Sequence, residues 1–329
     1  DRNHPAYGTP EYNDVFVNMM KEVVSRYGPF FEFWWDGANG EGPSGKKQVY
    51  DWHRFESTMR RIAPGTILFS DIGPDARWVG NEKGFAGKTN WNLLDTAGFT
   101  RGAGAPPVDT LNRGNVNGAN WIPAECDVSI RPGWFYHASE DSLVKSPKTL
   151  FEIYLKSVGR GANFLLNVPA DRRGLIASPD SAALMGFARL RSASFHSSLT
   201  ENRGTTVMLD GKNVRPELTD GNEDTWISMG ADYKNKFLDI RIYKITEVNC
   251  VLLKEPLQNG QRVKSFTVEL LKGNRLLASL NQTTIGHQRI LTFPKQAITG
   301  MRIRINDAKA DPLLSGISIF RINDDLVEN

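Results

Sequence analysis

Phe30-Phe31-Glu32-Phe33-Trp34-Trp35-Asp36-Gly37 is the stretch that decides the fold. Its bulky, mostly aromatic run favours a buried strand, and Gly37 lets the backbone turn at once. A carboxylate is thereby set at the C-terminal end of a core strand, walled by two tryptophans. Catalytic groups of α/β barrels stand at that place. Aromatic walls beside a carboxylate also suit a sugar ring, which has apolar C–H faces. A strand-end aspartate on its own more often caps a helix or turn; a second carboxylate downstream turns the balance toward chemistry.

Working outward, Thr9 caps a helix with Pro10 at its first position. Its apolar face runs from Tyr12 to Tyr27, and Gly28 ends it. After the Asp36 strand, Val49, Trp52, Phe55, Met59 and Ile62 mark a second helix, stopped by Pro64-Gly65. Residues 66–70 read as a strand ending on Asp71, and residues 72–125 as long loops of the kind that carry function. Ser146-Pro147 starts another helix, 163–168 is a continuous apolar strand, and Ser178-Pro179 opens a helix to about Ser192. Strand–helix alternation implies a parallel sheet. About four repeats are present where a closed barrel needs eight, and the chain opens on a helix. The expectation is the C-terminal part of a (β/α)8-like barrel over 1–193, entered after its first strands. A doubly wound open sheet is the alternative. A Ser-, Thr-, Asn- and Gly-rich linker, 194–205, follows. Short alternating strands at 237–242, 248–253, 265–271, 289–293, 301–305 and 316–322 then read as a β-sandwich over 206–329. The fold class is thus α/β plus all-β.

Composition narrows the function. With 329 residues, 40% hydrophobic and 23% charged, the chain is ordinary globular protein. A net charge of +3 without runs of like charge argues against nucleic acid. No apolar stretch approaches a membrane span. Cys126 and Cys250 fall in different domains, so a bridge is not expected, and no cysteine–histidine spacing resembles a zinc site.

The second carboxylate is Glu82, in Arg77-Trp78-Val79-Gly80-Asn81-Glu82. This segment follows the strand ending at Asp71, which puts it on the rim of Asp36 in a barrel. Retaining glycoside hydrolysis uses one ionised carboxylate as nucleophile and one protonated carboxyl as acid, about 5–5.5 Å apart. Asp36, on a rigid strand, suits the nucleophile, and Glu82, on a loop, the acid/base. Glu125 is the alternative acid; otherwise it binds substrate or orients neighbours. Glu32, pointing opposite to Phe31 and Phe33, reads as structural. Trp35 and Trp134 are expected to line a sugar site, whereas Trp52, Phe55 and Trp226 are expected in cores.

Phe33-Trp34-Trp35-Asp36-Gly37, together with Asp1-Arg2-Asn3-His4-Pro5 and Tyr7-Gly8-Thr9-Pro10-Glu11-Tyr12, resembles the α-L-fucosidases, family 29 of the glycoside hydrolases. The segment ending at Glu82 resembles the one carrying their acid/base. Trp121 to Asp127, Arg131 to Tyr136 and Gly159 to Pro169 resemble later walls and repeats. The resemblance covers nearly all of 1–193. It implies retaining, cofactor-free cleavage of terminal α-L-fucose, with Asp36 as nucleophile and Glu82 as acid/base. Arg77 would fix charge and hydrogen bonds near the sugar, and Trp134 would pack on the face and methyl group of fucose. The motifs look closest to the branch preferring α-1,3 and α-1,4 linkages in Lewis-type glycans. The family's sugar-binding histidines and a tryptophan lie on earlier strands, so no fucose contact is assigned to the five histidines here.

In the second domain, Leu218 to Trp226 looks like a loop of discoidin-like, galactose-binding-like jelly rolls. Asp220 and Asp224 could coordinate calcium there, or form an acidic turn. The rival functions are a carbohydrate-binding protein without catalysis and a related retaining glycosidase or transfucosidase. Fucosylated glycans as partners imply a periplasmic or extracellular location.

Overall fold

The computed structural model describes residues 1–101 and 104–328; positions 102 and 103 of the expected loop region, and residue 329, lie outside the described residues. The chain divides into two units, one of 1–80 with 93–124, the other of 81–92 with the chain from 125 onward.

The first unit contains α1 (Glu11–Tyr27), β1 (Glu32–Trp34), α2 (Trp52–Ile62), β2 (Ile67–Ser70), β3 (Ala76–Trp78), β4 (Leu93–Leu94), α3 (Val108–Arg113) and β5 (Asn120–Trp121). β1 and β2 are parallel, with Trp34 opposite Phe69, and β3 adds to β2 in the same sense. The residue flanking α1 is Pro10 and not Thr9, because the Thr9 hydroxyl donates back to the Ala6 carbonyl. Asp51 caps α2 by accepting from the Arg54 N–H. Between β1 and the helices lies a core of Val17, Met20, Trp35, Trp52, Phe55, Met59 and Leu68, with Phe16 stacked on Phe55. The region expected as loop therefore contains a third parallel strand, and Arg77 lies on it.

The second unit holds β6 (Ala124–Ser129), α4 (Pro147–Lys156), β7 (Asn163–Asn167) and α5 (Ser178–Ser194). β6 and β7 are parallel from Glu125–Asn163 to Ser129–Asn167. Ser146 caps α4, its hydroxyl accepting from the Thr149 N–H at 3.1 Å. β8 (Thr205–Leu209), β9 (Lys212–Asn213), α6 (Arg215–Thr219), β10 (Ile227–Ser228), β11 (Leu238–Lys254), β12 (Val263–Lys272), β13 (Arg275–Gln282), β14 (Arg289–Ala308), β15 (Leu313–Leu314) and β16 (Gly316–Phe320) follow. Strands β13-β12-β14-β11-β8-β9 form one antiparallel sheet, with β16 also on β11, and β10 pairs with β15. Two of the expected strand pairs are continuous: 237–242 and 248–253 are one strand, as are 289–293 and 301–305. Register shifts between Arg241 and Thr246 and between Val248 and Cys250 interrupt the alternation in β11. The parallel strands and their helices are the C-terminal part of a (β/α)8-like barrel, followed by a β-sandwich.

Within this unit the barrel helices and the sandwich share a core. Phe151 of α4 stacks with Phe195, which meets Phe320 of β16 edge-on at 5.2 Å. Cys250, Ile290 and Ile322 complete it.

A buried carboxyl, Glu255, orders the turn from β11 to β12. It accepts from the backbone N–H groups of Arg262, Val263 and Gly286 at 2.8–2.9 Å. Burial pushes its pKa from 4.5 up to about 7, against the pull of those donors. Between these values the folded state keeps a proton that the unfolded chain has released, so this group's contribution to stability falls as pH rises from about 4.5 to about 7. Urea unfolding at pH 5 and pH 7.5 should show a smaller pH-dependent loss in Glu255→Gln than in the parent; equal losses would contradict this assignment.

Candidate active site

Side chains alternate across a strand, and this settles the surroundings of Asp36. Phe33 and Trp35 face the helices, and Trp35 is 2% exposed in that core. The expectation that Trp35 walls a sugar is corrected on that ground. Glu32, Trp34 and Asp36 share the other face. Trp34 stacks on Phe69 with ring centroids 4.6 Å apart. Asp36 itself is exposed, one Oδ accepting from the Ala38 N–H at 2.9 Å in a tight turn. That bond orients the carboxylate and leaves its other oxygen toward solvent chemistry.

The loop after Asp36 is bracketed by the segment around Tyr7. The Tyr7 hydroxyl donates to the Gly40 carbonyl at 2.8 Å. Buried Gln48 donates to the Thr9 and Val49 carbonyls and accepts from the Gly8 N–H at 2.8 Å. Tyr50, which sequence reasoning did not single out, reaches the Ala38 carbonyl with its hydroxyl at 3.3 Å. Burial raises its pKa, with Tyr7, Tyr12 and the Asp36 charge adding to the shift.

Arg77 is fully buried. Its Nε donates to the Leu111 carbonyl at 2.9 Å, and a terminal nitrogen donates to the Ile122 carbonyl. It thus clamps α3 and the stretch before β6.

Glu82 lies in the second unit, exposed on the segment 81–92. Asn81 folds the turn beneath it: its Oδ1 accepts from the Lys83 N–H at 3.1 Å and its Nδ2 donates to the Phe85 carbonyl at 2.9 Å. Gly84 has φ +77°, and a Cβ there would stand 2.7 Å from Ile153 and 3.0 Å from Val128. Only glycine meets both demands. Ala86 donates to the Lys156 carbonyl and accepts from Arg160.

Trp134 follows β6 and is 39% exposed. Asn167, at the end of β7, donates to the Trp134 carbonyl and to the Ser129 hydroxyl, and Ser129 donates to the Gly133 carbonyl at 2.6 Å. Arg131, fully buried, holds this loop from beneath. It pairs with buried Asp180 through its Nε and a terminal nitrogen, bonds Asp141 and the His137 carbonyl, and lies 4.7 Å from the Tyr136 ring centroid. Beside it, Tyr136, His137, Ser139, Asp171 and Arg172 line a cleft of about 510 Å³. Glu125, by contrast, is 3% exposed near the start of β6. Four residues at about 3.3 Å each put it roughly 13 Å along the strand from Ser129, the end that carries Trp134. The structure brings Trp134 to the C-terminal ends of β6 and β7 and leaves Glu125 away from them.

In the sandwich, the Asp220 carboxylate accepts from the Asn222 N–H and the Thr225 hydroxyl. No group of three or more His, Cys, Asp or Glu able to hold a metal occurs among the described residues. The acidic stretch around Asp220 and Asp224 is hydrogen-bonded within itself, the Asp224 N–H donating to Asn222 Oδ1 at 3.0 Å. Trp226 is corrected too: it is 40% exposed and lines a shallow cleft with Asp210, Glu217 and Lys236. Among the described residues no helix is long and apolar enough to cross a membrane.

Solved structures similar to this one have the same architecture. SpGH29 superposes with a TM-score of 0.85 at 30% identity, over 95% of this chain and 69% of that chain. A glycoside hydrolase 29 family member from an unknown rumen bacterium gives 0.82 at 32% identity, over 98% of this chain and 56% of the other. These define the class as a glycoside hydrolase scaffold. Residues 1–190 match the family model described as Alpha-L-fucosidase, and the chain belongs to that family. Alpha-L-fucosidase 1 of Arabidopsis thaliana is 34% identical over 334 residues, which take in 97% of this chain and 64% of that protein. The chain thus spans less than two thirds of that relative's length.

The loop that presents Trp134 depends on the Arg131–Asp180 pair, both buried. Removing one partner of such a pair costs about 3–5 kcal/mol. Asp180→Ala should lower unfolding free energy by that amount in urea, and a loss below about 1 kcal/mol, the value typical of an exposed pair, would show that the pair does not hold the loop.

Proposed function

We propose that the protein is a retaining, exo-acting α-L-fucosidase that removes terminal α-1,3- or α-1,4-linked L-fucose from Lewis-type glycans. The observation that carries this is Asp36: an exposed carboxylate, oriented by the Ala38 N–H, at the end of a parallel strand in a chain of this family. In this reading residues 1–193 are the catalytic domain, 194–205 the linker and 206–329 the sandwich.

In the first step the Asp36 carboxylate attacks the anomeric carbon. The bond to the leaving glycan oxygen breaks, and that oxygen takes the Glu82 proton. In the second step Glu82 removes a proton from water, the water attacks the same carbon, and Asp36 is released. Two inversions at one carbon give net retention. Trp34 takes the place expected of Trp35 beside the nucleophile, and Trp134 offers an apolar face to the sugar. Arg77 and Glu125, both buried, act by holding the walls in place. Fucosylated glycans are substrates met in the periplasm or outside the cell, which is the location this activity implies.

Asp36→Asn should abolish turnover with folding intact, since the amide cannot form the glycosyl-enzyme. Glu82→Ala should slow natural glycan hydrolysis by about 10²- to 10⁴-fold, the usual worth of general acid–base catalysis. Aryl fucosides with good leaving groups should suffer less, and azide should partly restore their turnover. Steady-state kinetics on both substrates checks this. Normal activity in Asp36→Asn would sink the assignment, and an unchanged glycan rate in Glu82→Ala would remove Glu82 from the acid role.

A further inference from the structure

The segment 81–92 presents Glu82 at one end and has no helix or strand of its own. Its backbone groups must still be satisfied where they are buried. At the far end the partners come from side chains of the β-sandwich. The Thr283 hydroxyl and an Arg289 terminal nitrogen donate to the Lys88 carbonyl at 2.8 and 2.7 Å. The Thr284 hydroxyl accepts from the Asn90 N–H at 2.9 Å. Gln261 does two things at once: its Nε2 donates to the Asn90 carbonyl at 2.8 Å and its Oε1 accepts from the Asn92 N–H at 2.9 Å. Gln261 is 3% exposed and Thr284 1%.

Gln261 is itself held. Glu255 orders its turn from inside, and Gly286 approaches so closely that a Cβ there would stand 3.3 Å from the amide nitrogen. The barrel contributes nearer Glu82, where Arg160 and Lys156 take Ala86, and again at Asn90, whose side chain donates to the Arg160 carbonyl. The segment is thus a strap fixed to the barrel at Ala86 and Asn90 and to the sandwich from Lys88 to Asn92.

We propose that the sandwich is part of the catalytic apparatus, with Gln261 and Thr284 as positioning residues for the general acid. This rests on Glu82 being the acid/base. A general acid delivers its proton only within hydrogen-bond reach of the leaving oxygen, and loss of about 1 Å of placement can cost about 100-fold. Loosening the strap should therefore weaken proton donation selectively, without the across-the-board loss expected from a damaged fold.

The test uses the protein extended to the length of its relatives, with Gln261→Met and Thr284→Val as near-isosteric variants that remove only hydrogen-bonding atoms. The parent, both variants, Glu82→Ala and Glu82→Ala/Gln261→Met are compared on a Lewis-type trisaccharide and on an aryl fucoside with an activated leaving group. The expected result is a fall in kcat on the trisaccharide at least tenfold larger than on the aryl fucoside, for each strap variant. In Glu82→Ala/Gln261→Met, the second change should add less than twofold to the loss. Equal losses on both substrates, or none, would overturn the proposal while leaving Glu82 in its role if Glu82→Ala alone shows the selective loss. If Glu82→Ala shows none, the assignment of the acid fails and the proposal with it. Should Gln261→Met not fold, Thr284→Val carries the same comparison.

Discussion

A polar backbone group taken out of water needs a partner, and every segment that bears on the candidate site leaves its strand ladder before the chemistry begins. The loop after Asp36, the clamp around Arg77, the Trp134 loop and the strap of Glu82 each meet this need with buried or half-buried polar side chains. Gln48, Arg77, Arg131, Asn167 and Gln261 supply them. Buried polar networks of this sort are rigid when complete and costly when broken. The fold places the strand ends; these side chains decide where the loops go from there.

The arrangement gives a physical meaning to stretches that are otherwise only motifs. Tyr7 to Tyr12 is one such stretch. It brackets the loop that leaves Asp36. Arg131 similarly carries the Trp134 loop from beneath, tied to Asp180 forty-nine positions on. Family resemblance along the chain thus records support for the site as much as the site itself.

Much of the fold is legible because helix and strand periods differ. Ser146-Pro147 announces α4 and the apolar run 163–168 announces β7, each within a residue or two. β3 is hidden because it has three residues in a Gly- and Pro-rich region. Strand β11 reads as two because Tyr243 and Ile245 are exposed at its register shift, which breaks the alternation. At Asp36, strand parity alone puts Trp34, and not Trp35, on the carboxylate's face. Gln48 and Gln261 leave no mark in the sequence, since partners lie 39 and 169–171 residues away and an isolated glutamine carries no local signal. Trp226 misleads for the opposite reason, because a tryptophan is usually core and here lines a surface cleft.

Double displacement at Asp36 fixes the stereochemistry of the first product. The measurement is a proton NMR time course on a Lewis-type trisaccharide with the protein extended to the length of its relatives, recorded faster than mutarotation. The account predicts that the α anomer of fucose appears first and the β anomer grows in later. The β anomer appearing first, or no fucose released by folded protein, would contradict it.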